Sequence, residues 1–225
     1  MMLVLILSIA VLAVMNLAVG SVGIPAAAVF SILNPFDTTP LRGENAEIWT
    51  NIVMYTRLPQ TVTAMACGAG LSVAGLEMQT VFRNPLAGPS VLGVSSAASL
   101  GVAFVVLLSG ALGGTALSSF GIIGNSAITL AAISGALLVM SFIVYLSHKV
   151  DGNVTLLITG VLIGYIATAI IGVLKYFSSE EDIRAYVIWG LGSFSRVTGG
   201  QVYVFVALTA VILPLVMLLA KPLNI

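Results

Sequence analysis

Two long apolar runs, residues 60–82 and 90–109, meet across a short polar turn, Arg83-Asn84-Pro85-Leu86-Ala87-Gly88-Pro89. Each run is about 20 residues, and a helix rising 1.5 Å per residue crosses a hydrocarbon core of roughly 30 Å at that length. Small residues recur four apart in both runs: Gly68 with Ser72, Gly70 with Ala74, and Gly93, Ala97 and Gly101 in one stripe. Such stripes let helix backbones approach closely in lipid, where packing replaces the hydrophobic drive for helix association.

Charge is too sparse for a chain that faces water on all sides. Only 7% of the residues are charged, with 59% hydrophobic, against about 25% charged in a soluble domain. The fold class is therefore all-α and polytopic, an integral membrane protein. Net charge is zero, so nothing points to nucleic acid. Cys67 is alone and mid-span, which rules out an internal disulfide and suits a small core residue. One histidine and one cysteine leave no metal cluster, and no cofactor is implied. No GxxxxGK[ST] loop is present, so ATP hydrolysis is not expected of this chain. No paired-carboxylate or Ser-His-Asp set is visible, and no catalytic residue is assigned.

Six spans are predicted, at about 2–21, 60–82, 90–109, 122–147, 154–176 and 200–220. The first lacks a basic leader and exceeds the usual 7–15 residues of a signal-peptide core, so it reads as a membrane helix. Residues 24–33 are apolar but too short to cross, and are expected at the interface or against other helices. Residues 34–51 are the most polar stretch and are expected to be a solvent-exposed loop, with Pro35, Pro40 and Gly43 as breakers. Residues 110–121 make a small-residue turn, and residues 148–153 a polar one. Ala127, Ala131 and Gly135 form a stripe in the fourth span, and Pro214 is placed to kink the sixth.

In the fifth span Gly160, Gly164, Thr168 and Gly172 fall at a strict four-residue interval. That face either packs against another helix or lines a narrow path. Ser178 with Glu181, or Ser179 with Asp182, has capping-box spacing, and the acidic residues suit the positive end of a helix dipole. The helix they open, about 181–190, is too short to span and reads as a half-helix on or in the membrane surface. Its Tyr186 and Trp189 suit an interface, or a contact at the external mouth. Glu77 lies inside the second span, where a carboxylate costs roughly 2.5–3.5 kcal/mol. It sits near the headgroups, bonds a neighbouring helix, relays a proton or cation, or meets a partner.

Arg57-Leu58-Pro59, then Gln79 to Pro89 (QTVFRNPLAGP), then Leu92-Gly93-Val94-Ser95-Ser96, resembles the iron-siderophore and cobalamin permease family of ABC importers. A second block, residues 184–195 (RAYVIWGLGSFS), carrying Arg184, Tyr186 and Trp189, resembles the same family. The resemblance implies one transmembrane permease domain over residues 1–225, in the bacterial cytoplasmic membrane. It implies a second permease copy or close homologue with the path between them. Two ATPase subunits inside and an extracytoplasmic binding protein outside are the implied partners. The implied cargo is an iron chelate such as a siderophore or haem, with cobalamin second.

The resemblance makes Arg57 a docking charge for an acidic patch on the binding protein; the residue-level alternative is an ordinary interfacial arginine. The second arginine of the family motif is Gln60 here. An N-in orientation also comes from the resemblance. Charge does not give it: Arg83, Lys149 and Lys221 would face inward, against Arg42, Arg57, Lys175, Arg184 and Arg196 outward. Family permeases run beyond six spans, with a coupling helix after the sixth, so a truncated or split product that does not transport alone is expected. Two other classes compete: a secondary transporter using Glu77 and the fifth-span glycines, and a purely structural membrane subunit.

Overall fold

The computed structural model describes residues 1–34, 45–111, 121–150, 152–194, 197 and 199–223. Most of the predicted polar loop (35–44) and of the predicted small-residue turn (112–120) lies outside them, as do Asp151, Ser195 and Arg196. Among the described residues every regular element is a helix. Helices Ala46–Phe82, Ser126–Ser147, Asn153–Phe177 and Gly199–Leu218 are long and apolar enough to cross a membrane, and Met2–Ala18 and Val94–Leu108 are shorter apolar helices. These follow the six predicted spans in order. The chain divides into two compact units, Met1–Val73 with Phe194–Leu219, and Ala74–Ser193 with Ala220–Ile225.

In the first unit α1 (Met2–Ala18) is followed by α2 (Ala26–Leu33) and α3 (Ala46–Ile52). Leu17, Ile24, Ala28, Val29 and Val53 form its core, with Val53 fully buried. The apolar 24–33 segment is thus packed against helices, one of its two predicted places.

Residues 46–52 correct the expectation of a loop up to Asn51. They are helical and run through a π turn, Val53–Arg57, into α4 (Leu58–Phe82). Pro59 therefore sits inside a continuous helix, not at its start. A proline ring there crowds the carbonyl one turn back, and the wider π turn just before it makes room. The α9 helix (Gly199–Leu223) continues through Pro214. Among the described residues nothing packs on the Gly68 and Gly70 stripe of α4: a Cβ at either would meet nothing within 4 Å.

In the second unit α4 ends at a turn that is nearly all hydrogen bonds. Arg83 takes a left-handed conformation, φ 48°. Its N–H donates to Thr80 O at 3.3 Å, and Asn84 N–H to Gln79 O at 3.1 Å. This is a Schellman cap, whose left-handed residue is normally glycine. The side chain of Asn84 then accepts from Leu86 N–H at 2.9 Å. Arg83→Gly is expected to relieve about 1 kcal/mol of left-handed strain and to raise the thermal midpoint of the detergent-solubilised protein. A lowered midpoint would mean that the arginine side chain has its own anchoring role.

A 3₁₀ turn, Pro89–Leu92, leads through Gly93 (φ 73°) into α5 (Val94–Ala111). Around α5 stand α6 (Gly121–Ser147), α7 (Asn153–Phe177) and α8 (Glu180–Gly190). Val102, Ala103 and Leu107 of α5 are completely buried and centre the core of this unit. Small residues set the spacing. A Cβ on Gly101 would lie 2.2 Å from Ala131 O, and a Cβ on Gly135 2.3 Å from Ala97 O. Each helix thus fills the gap left by the other's glycine, and the predicted stripes of the third and fourth spans meet face to face. Asn153, at the start of α7, donates from Nδ2 to Val81 O at 2.6 Å and ties α7 to the end of α4.

Candidate functional site

Arg57 ends the π turn and is only 6% exposed. Its guanidinium donates from one nitrogen to Leu17 O at 2.8 Å and Ala18 O at 2.9 Å. The other terminal nitrogen donates to Val22 O. The last carbonyls of a helix lack partners within it and carry the negative end of its dipole. Arg57 fills that role for α1 from 40 residues along the chain. A fork of fixed donors suits three converging carbonyls better than a lysine would. Thr61, one turn on, donates toward Asn16 Oδ1 and Arg57 O, both at 2.8 Å, fastening the same two helices.

The resemblance implied an arginine offered to a partner. In this arrangement the guanidinium faces inward, and docking requires it to leave these carbonyls. The carbonyls of Leu17, Ala18 and Val22 completed this cluster without any signal in the sequence, because main-chain acceptors leave no residue signature.

The fifth-span stripe divides. A Cβ on Gly160 would lie 2.6 Å from Leu92 Cα, and one on Gly164 3.3 Å from Ser96 Oγ. Both are packing positions against the 3₁₀ turn and α5. Gly93 is their counterpart: its own Cβ would lie 2.6 Å from Gly160 O, on top of its positive φ. Thr168 is exposed and donates to Gly164 O at 2.8 Å. Beyond it Gly172 is open, with nothing within 4 Å. A shallow cavity of about 280 Å³ runs beside Ser96, Gly160, Gly164, Tyr165 and Thr168. Packing thus holds the first half of the stripe, and an open face the second.

The half-helix is present as α8. Ser179 is its N-cap: Asp182 N–H donates to Ser179 Oγ at 3.2 Å, and Ser179 Oγ donates to Asp182 Oδ2 at 2.6 Å. Of the two predicted pairings this is the one formed. Ser178 instead donates to Leu174 O at 2.6 Å and Leu107 O at 3.2 Å, locking the α7–α8 corner onto α5. Asp182 is 2% exposed, and its Oδ1 has no hydrogen-bond partner among the described residues.

Tyr186 is buried in the core, not at an interface, because it lies on the α8 face that packs on α5. Burial pushes its phenol above the ordinary value, and a side-chain hydrogen bond with Ser99 partly opposes this. The Trp189 ring lies 6.3 Å from that of Tyr186. Lys175 Nζ sits 4.9 Å over the Tyr186 ring, a cation–π contact from the last turn of α7. Arg184 is exposed, and Glu77 is half-buried.

The first unit also holds a larger cavity, about 880 Å³, beside Thr50, Asn51, Tyr55, Pro59, Gly199 and Tyr203. It joins residues nearly 150 apart in the chain, so no sequence pattern announces it. Among the described residues no group of three or more His, Cys, Asp and Glu could hold a metal ion.

These features define a polytopic α-helical membrane protein whose helices are set by glycine contacts and whose first helix is clasped by a buried arginine. The chain belongs to the FecCD transport family, whose model matches residues 6–225. This bears out the resemblance carried by Arg57-Leu58-Pro59 and residues 79–96. It is 34% identical over 181 residues to the vitamin B12 import system permease protein BtuC of Escherichia coli O17:K52:H18 (strain UMN026 / ExPEC), covering 80% of this chain and 51% of that protein. It is 36% identical over 173 residues to BtuC of Serratia proteamaculans (strain 568), covering 76% and 48%. The chain thus spans about half the length of these curated relatives. A solved structure described as a metal-chelate type ABC transporter in an inward-facing conformation has the same fold. Its TM-score is 0.70 at 22% identity, over 98% of this chain and 63% of that one.

Proposed function

We infer that the chain is a permease part of an ATP-driven importer for a metal chelate in the bacterial cytoplasmic membrane. The family match over residues 6–225 is the observation that carries this reading. The cargo class is a large chelate. Cobalamin is the first candidate because the relatives named above import vitamin B12, and an iron chelate such as a siderophore or haem is the second. The chain has no phosphate-binding loop, so ATP would be hydrolysed by separate ATPase subunits. A second permease copy or homologue would complete the path, and an extracytoplasmic binding protein would bring the cargo. Arg57 is the candidate docking charge. The open half of the α7 stripe, Thr168 and Gly172, is the candidate path-lining face. Arg184 and Trp189 on α8 are candidate contacts at the external mouth.

Affinity purification from native membranes tests the assembly. The expected result is a complex with vanadate-sensitive ATP hydrolysis that rises when the binding protein is added. Isolation of the chain in a complex free of any nucleotide-hydrolysing subunit would contradict the reading.

A further inference from the structure

We propose that the end of α1 is a strap that keeps Arg57 covered, so that its charge is presented to a partner only when the strap opens. The consequence for docking rests on the function inferred above; the strap itself does not. Three observations carry it. The guanidinium is a buried cation satisfied by main-chain carbonyls, of Leu17, Ala18 and Val22. Carbonyls offer partial charge only, so a carboxylate on an approaching surface would be a stronger acceptor for the same fork. The cover is thin: residues 19–23 are each exposed, and within them Gly20 and the Val22 carbonyl lie against the guanidinium.

The third observation is Gly20. A Cβ there would lie 2.7 Å from Arg57 Nη2 and 3.0 Å from Cζ. The atoms it would strike are the far end of a flexible side chain, so the guanidinium gives way, not the backbone. Gly20 has no positive φ to require glycine. Its lack of a side chain serves the guanidinium beneath it. Position 20 therefore sets how firmly the strap holds Arg57, and a side chain placed there opens it.

The test uses the full chain in nanodiscs and phenylglyoxal, which modifies accessible arginines, with labelling read residue by residue from peptide masses. In the unsubstituted protein Arg57 is expected to label ~tenfold or more slowly than the exposed Arg184, as a site that must open before it reacts. Gly20→Ala and then Gly20→Val are expected to raise the Arg57 rate stepwise toward that of Arg184, leaving Arg184 unchanged. Arg57 labelling as fast as Arg184 in the unsubstituted protein would overturn the strap, as would continued protection in Gly20→Val. The docking reading is tested separately with poly-L-glutamate as an acidic probe. Gly20→Val is expected to bind it ~tenfold more tightly at low salt, with the gain lost as salt screens the contact. A liberated Arg57 without that gain would leave the strap standing and count against docking.

Discussion

Gly135→Leu is expected to leave no folded protein after detergent extraction. Even the first atom of a side chain at Gly135 would come within 2.3 Å of the Ala97 carbonyl oxygen, and the opposing Gly101 faces Ala131 O at 2.2 Å. Both obstacles are backbone, so neither can rotate away. The only relief is to part α5 from α6. That parting would open the core at Val102, Ala103 and Leu107, which are fully buried. Ordinary overpacking costs 1–3 kcal/mol when side chains can adjust, and here they cannot, so the loss is expected above that range. Gly172→Ala is the control, because nothing lies within 4 Å of its Cβ position. There the better helix propensity of alanine is worth about 0.5–1 kcal/mol in the stabilising direction. Thermal unfolding in detergent separates the two. Similar losses at both positions would mean that α5 and α6 do not pack through these glycines.

Arg57→Met is expected to cost about 3 kcal/mol or more, and to loosen α1. Methionine keeps the apolar stem but removes every donor, leaving the carbonyls of Leu17, Ala18 and Val22 to find other partners. A hydrogen bond to a charged group is worth about 1.5–3 kcal/mol, and a buried acceptor left without a donor costs 1–3 kcal/mol. The exposed Val22 can turn to water and Ala18 O still accepts from Ile24 N–H at 3.4 Å, so the loss should fall mainly on Leu17. Arg57→Lys should recover part of it, since one ammonium can serve fewer of the converging carbonyls than the planar fork. Thermal midpoints, with protease sensitivity of the segment after α1, measure the effect. An unchanged midpoint in Arg57→Met would show that the clasp contributes nothing to the fold.

The sequence carried the helices well because six apolar runs, a lipid-compatible charge density and glycine spacing each point to the same elements. The stripes of α5 and α6 were legible as packing faces for the same reason, and the Ser179–Asp182 cap was one of two spacings on offer. What was not legible depended on partners far along the chain. Gly68 and Gly70 look like Gly101 and Gly135 in sequence, yet among the described residues only the second pair has a helix opposite. Tyr186 reads as an interface ring by residue type, but its place on the inward face of α8 buries it. The helix through Pro59 depends on a π turn that no spacing rule marks. Arg57 was visible as a motif residue, but its inward direction was not, since carbonyl acceptors at positions 17, 18 and 22 have no sequence signature.

Uptake tests the functional account most directly. Cells lacking their own cobalamin and iron-chelate permeases would express the protein with the remaining permease segment that its longer relatives carry, an ATPase and a binding protein, and receive labelled cyanocobalamin or labelled ferric siderophore. The expected result is uptake of one of them that stops when the ATPase is inactivated and is unaffected by Glu77→Gln. Uptake that persists without the ATPase, follows a proton or sodium gradient and is lost in Glu77→Gln would contradict it, and would make the chain a secondary transporter on an importer-permease fold.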